Sequence, residues 1–387
     1  MFRIRKLDKI SPSGLDRFPA DLYEHAADIA DPDALLLRSA DMLSMDLPSS
    51  LLAIARAGAG VNNIPLEQCS KRGIVVFNTP GANANAVKEL VILALLIASR
   101  RVSEGITWAR SLAGRGEEVP LLIEKDKSNF IGPEILGKKL GVIGLGAVGH
   151  LVANDALSLG MDVSGYDPCI SVEAAWGLSR SVRRAVSLDT LISESDYITL
   201  HAPLSDKTKG MINRDKFALM KHGVRIMNFA RGGLVNNRDL KEAIKNGTVA
   251  CYVTDFPDDE LLQMDGVIPI PHLGASTPES EENCARMAVD QLREFLERGN
   301  LINSVNFADC FLAQTASRRI LIANKNRPAI IGHITKILAD KRINIADMLN
   351  KSKGDYAYNI IDIDGEIEEK TVALIRNVKD ILMVRVI

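Results

Sequence analysis

The sequence predicts an α/β protein built from two doubly wound parallel-sheet domains, with a smaller α+β domain at the C-terminal end. Three observations predict it. Short apolar runs alternate with helical stretches along most of the chain, the pattern of βαβ units. A glycine turn, Gly144-Leu-Gly-Ala-Val-Gly149, falls well inside the chain, so a second unit begins near it. Residues 318–387 change to a βαββαβ rhythm, which predicts a ferredoxin-like sheet.

Length and composition fit that division. A chain of 387 residues is too long for one ordinary domain, and 47% apolar residues is enough for several cores. The net charge of −2 gives no bulk pull toward nucleic acid or a membrane, so an anion site must come from a few local arginines. The five cysteines are scattered without a CxxC pair, which predicts free thiols, no metal site and a reducing compartment. The N-terminal residues lack an apolar signal core, and the longest greasy run, Leu90–Ala98, is too short to cross a bilayer. A cytoplasmic protein is expected.

In the first 83 residues, Ala34–Leu37, Leu51–Ala55 and Ile74–Phe77 read as buried strands. Each ends at a polar or glycine-rich turn. Ligands of open α/β sheets bind beyond the carboxyl ends of the strands. Arg38, Ser39 and Arg56 are therefore placed to hold an anionic substrate, with the backbone of Gly58, Ala59 and Gly60 beside them. Two solvated surface arginines would read the same way. Asn85–Arg101 is expected to be one long buried helix joining two domains, and residues 102–136 a polar, irregular arm that offers a dimer contact.

Leu140–Ile143 reads as a strand running into the glycine turn. There Gly144 permits the tight turn, Gly146 lets the backbone approach a pyrophosphate, and Gly149 lets the next helix pack closely. Ala147 and Val148 lie where that helix presents its N-terminal N–H groups to phosphate. Such turns also close ordinary βα units. Here, however, a second strand ends at Asp167, roughly 20 residues past the glycines, where an acid binds a ribose 2′-hydroxyl and repels a 2′-phosphate. The expected cofactor is NAD.

Four further strands end in chemistry-bearing turns. Tyr197–Leu200 ends at His201-Ala202-Pro203, and Arg225–Asn228 at Phe229-Ala230-Arg231. Val249–Val253 ends before Asp255 and an acidic run, Asp258-Asp259-Glu260. Gly266–Ile270 ends at Pro271-His272-Leu273-Gly274-Ala275. Arg231, an acid of that run and His272 form the set that hydride exchange with a 2-hydroxy acid needs. An arginine holds the carboxylate and polarises the carbonyl oxygen. A histidine passes the alcohol proton, and a carboxylate beside it fixes the tautomer and raises its pKa. A long helix, Pro278–Arg298, follows, and then a linker and closing segment over 301–317.

At this point the chain resembles the D-isomer-specific 2-hydroxyacid dehydrogenase family, in its phosphoglycerate branch. The strings that carry the resemblance are Arg56-Ala-Gly-Ala-Gly-Val-Asn-Asn, Asn78-Thr-Pro-Gly, Gly144-Leu-Gly-Ala-Val-Gly, Gly165-Tyr-Asp-Pro, His201-Ala-Pro-Leu, Asn228-Phe-Ala-Arg-Gly-Gly and Pro271-His-Leu-Gly-Ala-Ser-Thr. The resemblance implies a flavodoxin-like substrate domain over 1–84 and 275–310, a Rossmann NAD-binding domain over 85–274, and an ACT regulatory domain over 318–387. It implies a cleft between the first two, with the glycine turn on one wall and Arg38 and Arg56 on the other.

It also implies NAD-dependent oxidation of 3-phospho-D-glycerate in serine biosynthesis, by a homodimer or homotetramer. The same chemistry on hydroxypyruvate, glyoxylate or D-lactate is the alternative, and a non-catalytic NAD-sensing scaffold a more distant one. The catalytic roles pass to Arg231 and His272, with Glu260 as the acid if the segment is aligned on Asp255 and Asp259 if it is aligned on Phe256. Cofactor contacts pass to the glycine turn, Asp167, Ala202, Pro203, Phe229, Ala230, Arg231, Asp255, His272, Gly274 and Ala275. Ala59 and Ala202 stand where the family often has threonine. Arg38 and Arg56 match its phosphate ligands, and Arg115 is a weaker match. Asn324, Asn326 and Asn344 match contacts to an allosteric L-serine, although Asn324 replaces the usual histidine.

Overall fold

The computed structural model describes residues 1–387. The first sheet contains β1 (Phe2–Lys6), β2 (Tyr23–Ala26), β3 (Ala34–Leu37), β4 (Ala53–Arg56) and β5 (Val75–Phe77). All are parallel, in the order β2-β1-β3-β4-β5. β1 and β2 are additions to the expected strands. Their sequences, Phe-Arg-Ile-Arg-Lys and Tyr-Glu-His-Ala, carry too few apolar residues to read as buried, and in β1 only Ile4 is fully enclosed. β3, by contrast, is buried at every residue, as a strand covered on both faces must be.

Helix Pro278–Arg298 covers one face of this sheet with Ala285, Ala288, Val289, Leu292, Phe295 and Leu296, packed against Ile4, Leu36, Ala55 and Phe77. Its first turn carries Glu279 and Glu281 and its last turn Arg298, which complements the helix dipole. Glu282–Arg286, Arg293–Glu297 and Glu294–Arg298 pair along its wet side.

The second sheet contains β6 (Lys139–Ile143), β7 (Asp162–Tyr166), β8 (Arg183–Arg184), β9 (Tyr197–Leu200), β10 (Val224–Asn228), β11 (Val249–Thr254) and β12 (Val267–Pro269). All are parallel, in the order β12-β11-β10-β9-β6-β7-β8. The strand order reverses between β6 and β9, and the glycine turn leaves β6 at that switch point. Helix Ala84–Ser99 packs on this sheet through Val87, Val91, Ala94, Leu95 and Ala98. Residues 102–136 are less irregular than expected, for they hold helices Val102–Ser111 and Val119–Asp126. Gly114 and Gly116, with φ of +89° and +56°, divide them, and neither helix buries a residue.

The third sheet contains β13 (Arg318–Lys325), β14 (Ile345–Lys353), β15 (Tyr356–Ile363) and β16 (Ile381–Val386), antiparallel in the order β14-β15-β13-β16. Helices Ile330–Asp340 and Glu369–Arg376 complete the ferredoxin-like βαββαβ. Ile330, Ile334, Leu338 and Ile375 pack on Ile320, Ile322, Ile361 and Ile363 of one sheet face. The other face, with Leu321, Ala323, Tyr358 and Ile360, joins the core of the first sheet. Residues 1–83 and 278–387 therefore form one compact unit, and residues 84–277 another. The segment 301–317 is tied down within the first unit. Leu301 and Cys310 form a bridge, and the Asn306 side chain bonds Val76 N at 2.9 Å and Ile74 O at 2.9 Å.

The C-terminal sheet also caps the helix. The last carbonyls of a helix lack intrahelical partners. Here Arg385 donates to Phe295 O and Leu296 O, Arg319 to Arg298 O at 2.8 Å, and the Tyr358 hydroxyl to Gly299 O at 3.0 Å. Arg319 also forms a fully buried bidentate pair with Asp362 at 2.6 and 2.9 Å. Burial pushes the Asp362 carboxyl up, but the bonds from Arg319 and Thr315 outweigh it and hold the group below the usual carboxylate range. Arg319→Met leaves a buried charge unpaired and is expected to lower the unfolding free energy by about 3–5 kcal/mol in urea titrations. Removing its neighbour Arg318, which pairs with Glu366 at the surface, is expected to leave it nearly unchanged.

Candidate active site

The chemistry-bearing residues of the second unit lie in turns that leave the carboxyl edge of one sheet. Gly144 adopts φ +89°, and a Cβ there would lie 2.7 Å from the His201 backbone. A Cβ at Gly149 would lie 1.9 Å from Gly144 O, so turn and helix meet in direct backbone contact. Gly146 is different, since no atom lies within 4 Å of a Cβ built there. That glycine leaves open space over the N-terminus of helix Gly149–Ser158, the space a phosphate needs. At the end of β7, Asp167 accepts from Leu145 N at 2.8 Å and from Cys169 N at 2.8 Å. It thereby fixes the turn, and a carboxylate has further lone pairs for ribose hydroxyls. These residues fit a dinucleotide.

The turn after β9 backs this site. His201 N donates to Ile143 O at 2.7 Å, and His201 Nε2 meets Thr199 Oγ1 at 2.9 Å. Burial depresses the His201 imidazole to about 3, so it stays neutral. Ala202 lies against Gly144. Pro203 O accepts from Thr208 Oγ1 at 2.5 Å.

Arg231 is exposed, and its Nη1 donates to Ala230 O at 2.7 Å. The buried Asn228 shapes this loop. Its Nδ2 donates to Arg231 O at 2.9 Å and to the Tyr252 hydroxyl at 3.1 Å, and its Oδ1 accepts from Ala230 N at 3.2 Å. Phe256 connects the arginine and histidine loops. Its Cβ lies 3.5 Å from a Cβ built at Gly232, and its ring lies 4.8 Å from the His272 ring.

His272 adopts φ +53°, a left-handed conformation uncommon for histidine. The two N–H groups that follow it, of Leu273 and Gly274, donate to Asp255 at 2.7 and 2.9 Å. Asp255 is 1% exposed. Burial pushes its carboxyl up, while those two bonds and the His272 charge pull it back without cancelling the rise.

The structure does not join Glu260 or Asp259 to His272. Asp258 caps helix Asp259–Leu262 by accepting from Leu261 N at 3.0 Å, and both acids project from that helix as exposed residues. Asp259 accepts from Gln263 at 2.9 Å, and Glu260 lines a separate groove with Lys209, Asn213 and Arg214.

In the first unit, Arg38 pairs with Glu281 at 2.5 Å. Arg38 N, Ser39 N and Ala40 N all donate to Asp8 Oδ2, at 2.6, 2.9 and 3.0 Å. This backbone anion nest holds a carboxylate of the chain itself, and neither acid was foreseen. Gly58 makes room for Arg56, whose Nη1 would lie 2.5 Å from a Cβ at that position. Ala59 O accepts from Asn78 at 2.7 Å. Arg115 lies exposed between the two arm helices.

In the third sheet the matched asparagines separate. Asn324 accepts from the buried Asn359 at 2.7 Å, and Asn326 donates to Gly354 O at 3.2 Å. Asn344 donates to Asp364 at 2.6 Å, at the far end of the ladder. Strand rise puts the two ends about 20 Å apart.

Residues 92–274 match the D-isomer-specific 2-hydroxyacid dehydrogenase NAD-binding domain. A hydroxypyruvate reductase of Thermotoga maritima is 37% identical over 281 residues, which are 68% of this chain and 85% of that protein. The chain belongs to the D-isomer-specific 2-hydroxyacid dehydrogenase family. A D-3-phosphoglycerate dehydrogenase of Methanocaldococcus jannaschii is 38% identical over 286 residues, 72% of this chain but only 52% of that relative. The chain thus spans about half the length of that longer protein. The crystal structure of the NAD+-bound 3-phosphoglycerate dehydrogenase of Entamoeba histolytica is 25% identical with a TM-score of 0.61, and covers 79% of this chain and 98% of its own. No helix here is long and apolar enough to cross a membrane.

The neutral His201 predicts an acid sensitivity. Its folded-state pKa of about 3 lies below its ordinary value of 6.5, so the unfolded chain takes up a proton that the fold refuses. The stability it contributes is complete above pH 6.5 and is lost as pH falls toward 3. Urea midpoints measured from pH 7 to pH 4 are expected to fall more steeply for the wild type than for His201→Gln. Equal slopes would refute this.

Proposed function

We propose that the protein oxidises 3-phospho-D-glycerate to 3-phosphohydroxypyruvate, with NAD as the hydride acceptor, as the first step of L-serine biosynthesis in the cytoplasm. One observation carries the reading: the Arg231 and His272 loops close on the same phenylalanine, at the sheet edge that bears the glycine turn. The glycine turn and Asp167 would hold the cofactor, which when bound accepts the hydride from the substrate carbon. Arg231 pairs with the substrate carboxylate and stabilises negative charge on the reacting oxygen. His272 takes the hydroxyl proton at its free ring nitrogen. Arg38 and Arg56 hold the phosphate, for which Arg38 must exchange its pairing with Glu281.

The similarity to hydroxypyruvate reductase over 85% of that protein favours a second reading, reduction of an unphosphorylated 2-keto acid. The two readings separate in an NADH-absorbance assay. The first expects kcat/KM for 3-phospho-D-glycerate to exceed that for D-glycerate by at least about 100-fold, on the order of 3 kcal/mol from charge-assisted bonds. Arg56→Ala is expected to remove most of that preference. Equal values for the two substrates would favour the second reading.

The protein is further proposed to be a homo-oligomer. The arm exposes Val102, Ile106, Leu121 and Ile131, the last two at 75%, more apolar surface than single scattered residues explain. The C-terminal module is proposed as an ACT domain that binds L-serine. Because its matched asparagines lie at opposite ends of the sheet, one ligand reaches both only across two copies of the module. L-Serine is expected to slow turnover and to shift the sedimentation coefficient; no effect on either would refute regulation by serine.

A further inference from the structure

The first sheet brings two arginines to its carboxyl edge, Arg38 just past β3 and Arg56 at the end of β4. Both come close to the first turns of helix Pro278–Arg298. Burial pushes the Cys284 thiol of that helix up, and the charges of Arg38 and Arg56 are among the groups that pull it back. The chain supplies two carboxylates to the same place. Asp8 takes the backbone, with one oxygen accepting from Arg38 N, Ser39 N and Ala40 N at 2.6, 2.9 and 3.0 Å. Burial pushes its carboxyl up, but those bonds and the Arg38 charge outweigh it and hold the group below the usual carboxylate range. Asp8 is thus a fixed part of the turn. Glu281 takes the guanidinium, 2.5 Å from Arg38 Nη1. This pair differs in kind, since its side chains are 34% and 48% exposed and such pairs separate easily. Glu281 also lies in the first turn of its helix, where the positive dipole end stabilises a carboxylate that has lost its arginine.

We propose that Glu281 is an internal competitor for the phosphate subsite: its carboxylate occupies Arg38 in the free protein, must leave before a substrate phosphate can bind there, and returns as that group departs. The inference rests on Arg38 holding the phosphate in the reaction proposed above. Two physical effects act in the same direction. A phosphate that binds Arg38 replaces an ion pair the free protein already makes, so its net gain is smaller. The displaced carboxylate stays on the first helical turn, near a phosphate dianion that it repels. Both effects weaken every ligand that puts an anionic group in this subsite, substrate and product alike. A ligand with a neutral hydroxyl there leaves the pair intact. Glu281 therefore sets how strongly the site prefers phosphorylated acids, and it helps a charged product to leave. Asp8 does not share the role, because its partners are backbone N–H groups of the turn that carries Arg38.

The test compares the full-length wild type with Glu281→Gln, which keeps the shape of the side chain and removes its charge. Calorimetric titration with inorganic phosphate is expected to give a Kd about 5-fold lower in the variant, the size of an exposed ion pair. In the NADH-absorbance assay, KM for 3-phospho-D-glycerate is expected to fall by a similar factor with kcat little changed, and KM for D-glycerate to stay in place. Glu282→Gln removes a charge from the same helix, where Glu282 pairs with Arg286 on the wet side, and is expected to alter neither constant. In an Arg38→Ala background, Glu281→Gln is expected to lose most of its effect, since no guanidinium remains to be freed. The proposal is overturned by a phosphate Kd that is unchanged, raised or unmeasurable in Glu281→Gln, by an equal gain in Glu282→Gln, or by the full gain without Arg38. If the wild type oxidises neither acid, the proposed function fails, while the phosphate titrations still decide the role of Glu281.

Discussion

A strand in an all-parallel sheet can place side chains in open solvent only where it exits, because both faces of the sheet are covered. The second unit meets this constraint by bringing the exits of β6, β9, β10, β11 and β12 to one edge. Each exit is then held by a neighbour. Gly144 rests on the His201 backbone, Ala230 and Arg231 hang on Asn228, and the turn after His272 hangs on Asp255. The polar residues that do this are buried, and the residues they position, Arg231 and His272, are exposed. Rigid partners beneath and exposed side chains above follow from the sheet itself.

The first unit is organised by a shared helix. Pro278–Arg298 begins six residues after His272 and ends against the C-terminal sheet. Along its length it offers Glu281 to Arg38 and Gln291 to Asn78 O, and covers the first sheet with its apolar side. Its free carbonyls are capped by Arg319, Tyr358 and Arg385. The C-terminal module is thus a structural part of the unit that carries Arg38 and Arg56. A ligand that altered its packing would act on the helix directly, with no flexible connection between.

Much of this architecture was legible in the sequence. Buried parallel strands are continuous apolar runs, so Ala34–Leu37 and Tyr197–Leu200 are recovered with their limits. The glycine turn, Asp167 and the long helix are local signals and fall where expected. β1 and β2 were hidden because charged residues flank their few buried positions. The arm was read as irregular because its helices bury nothing and so lack an apolar stripe. The partners of the site residues were hidden for another reason. Asp8, Asp255 and Glu281 act through bonds to residues far along the chain, at separations no local pattern encodes. A partner for His272 was expected in the acidic run Asp258-Asp259-Glu260, and the buried Asp255 before that run accepts from the two N–H groups that follow the histidine.

The central claim is that the carboxyl edge of the second sheet leaves room for a dinucleotide at Gly146. Since nothing in the chain occupies the space of a side chain there, Gly146→Val tests the site apart from the fold. Calorimetric titration with NADH is expected to show affinity reduced at least about 10-fold, the effect of roughly 1.4 kcal/mol, with the melting temperature of the free protein essentially unchanged. Undiminished affinity in a folded Gly146→Val protein would contradict the account.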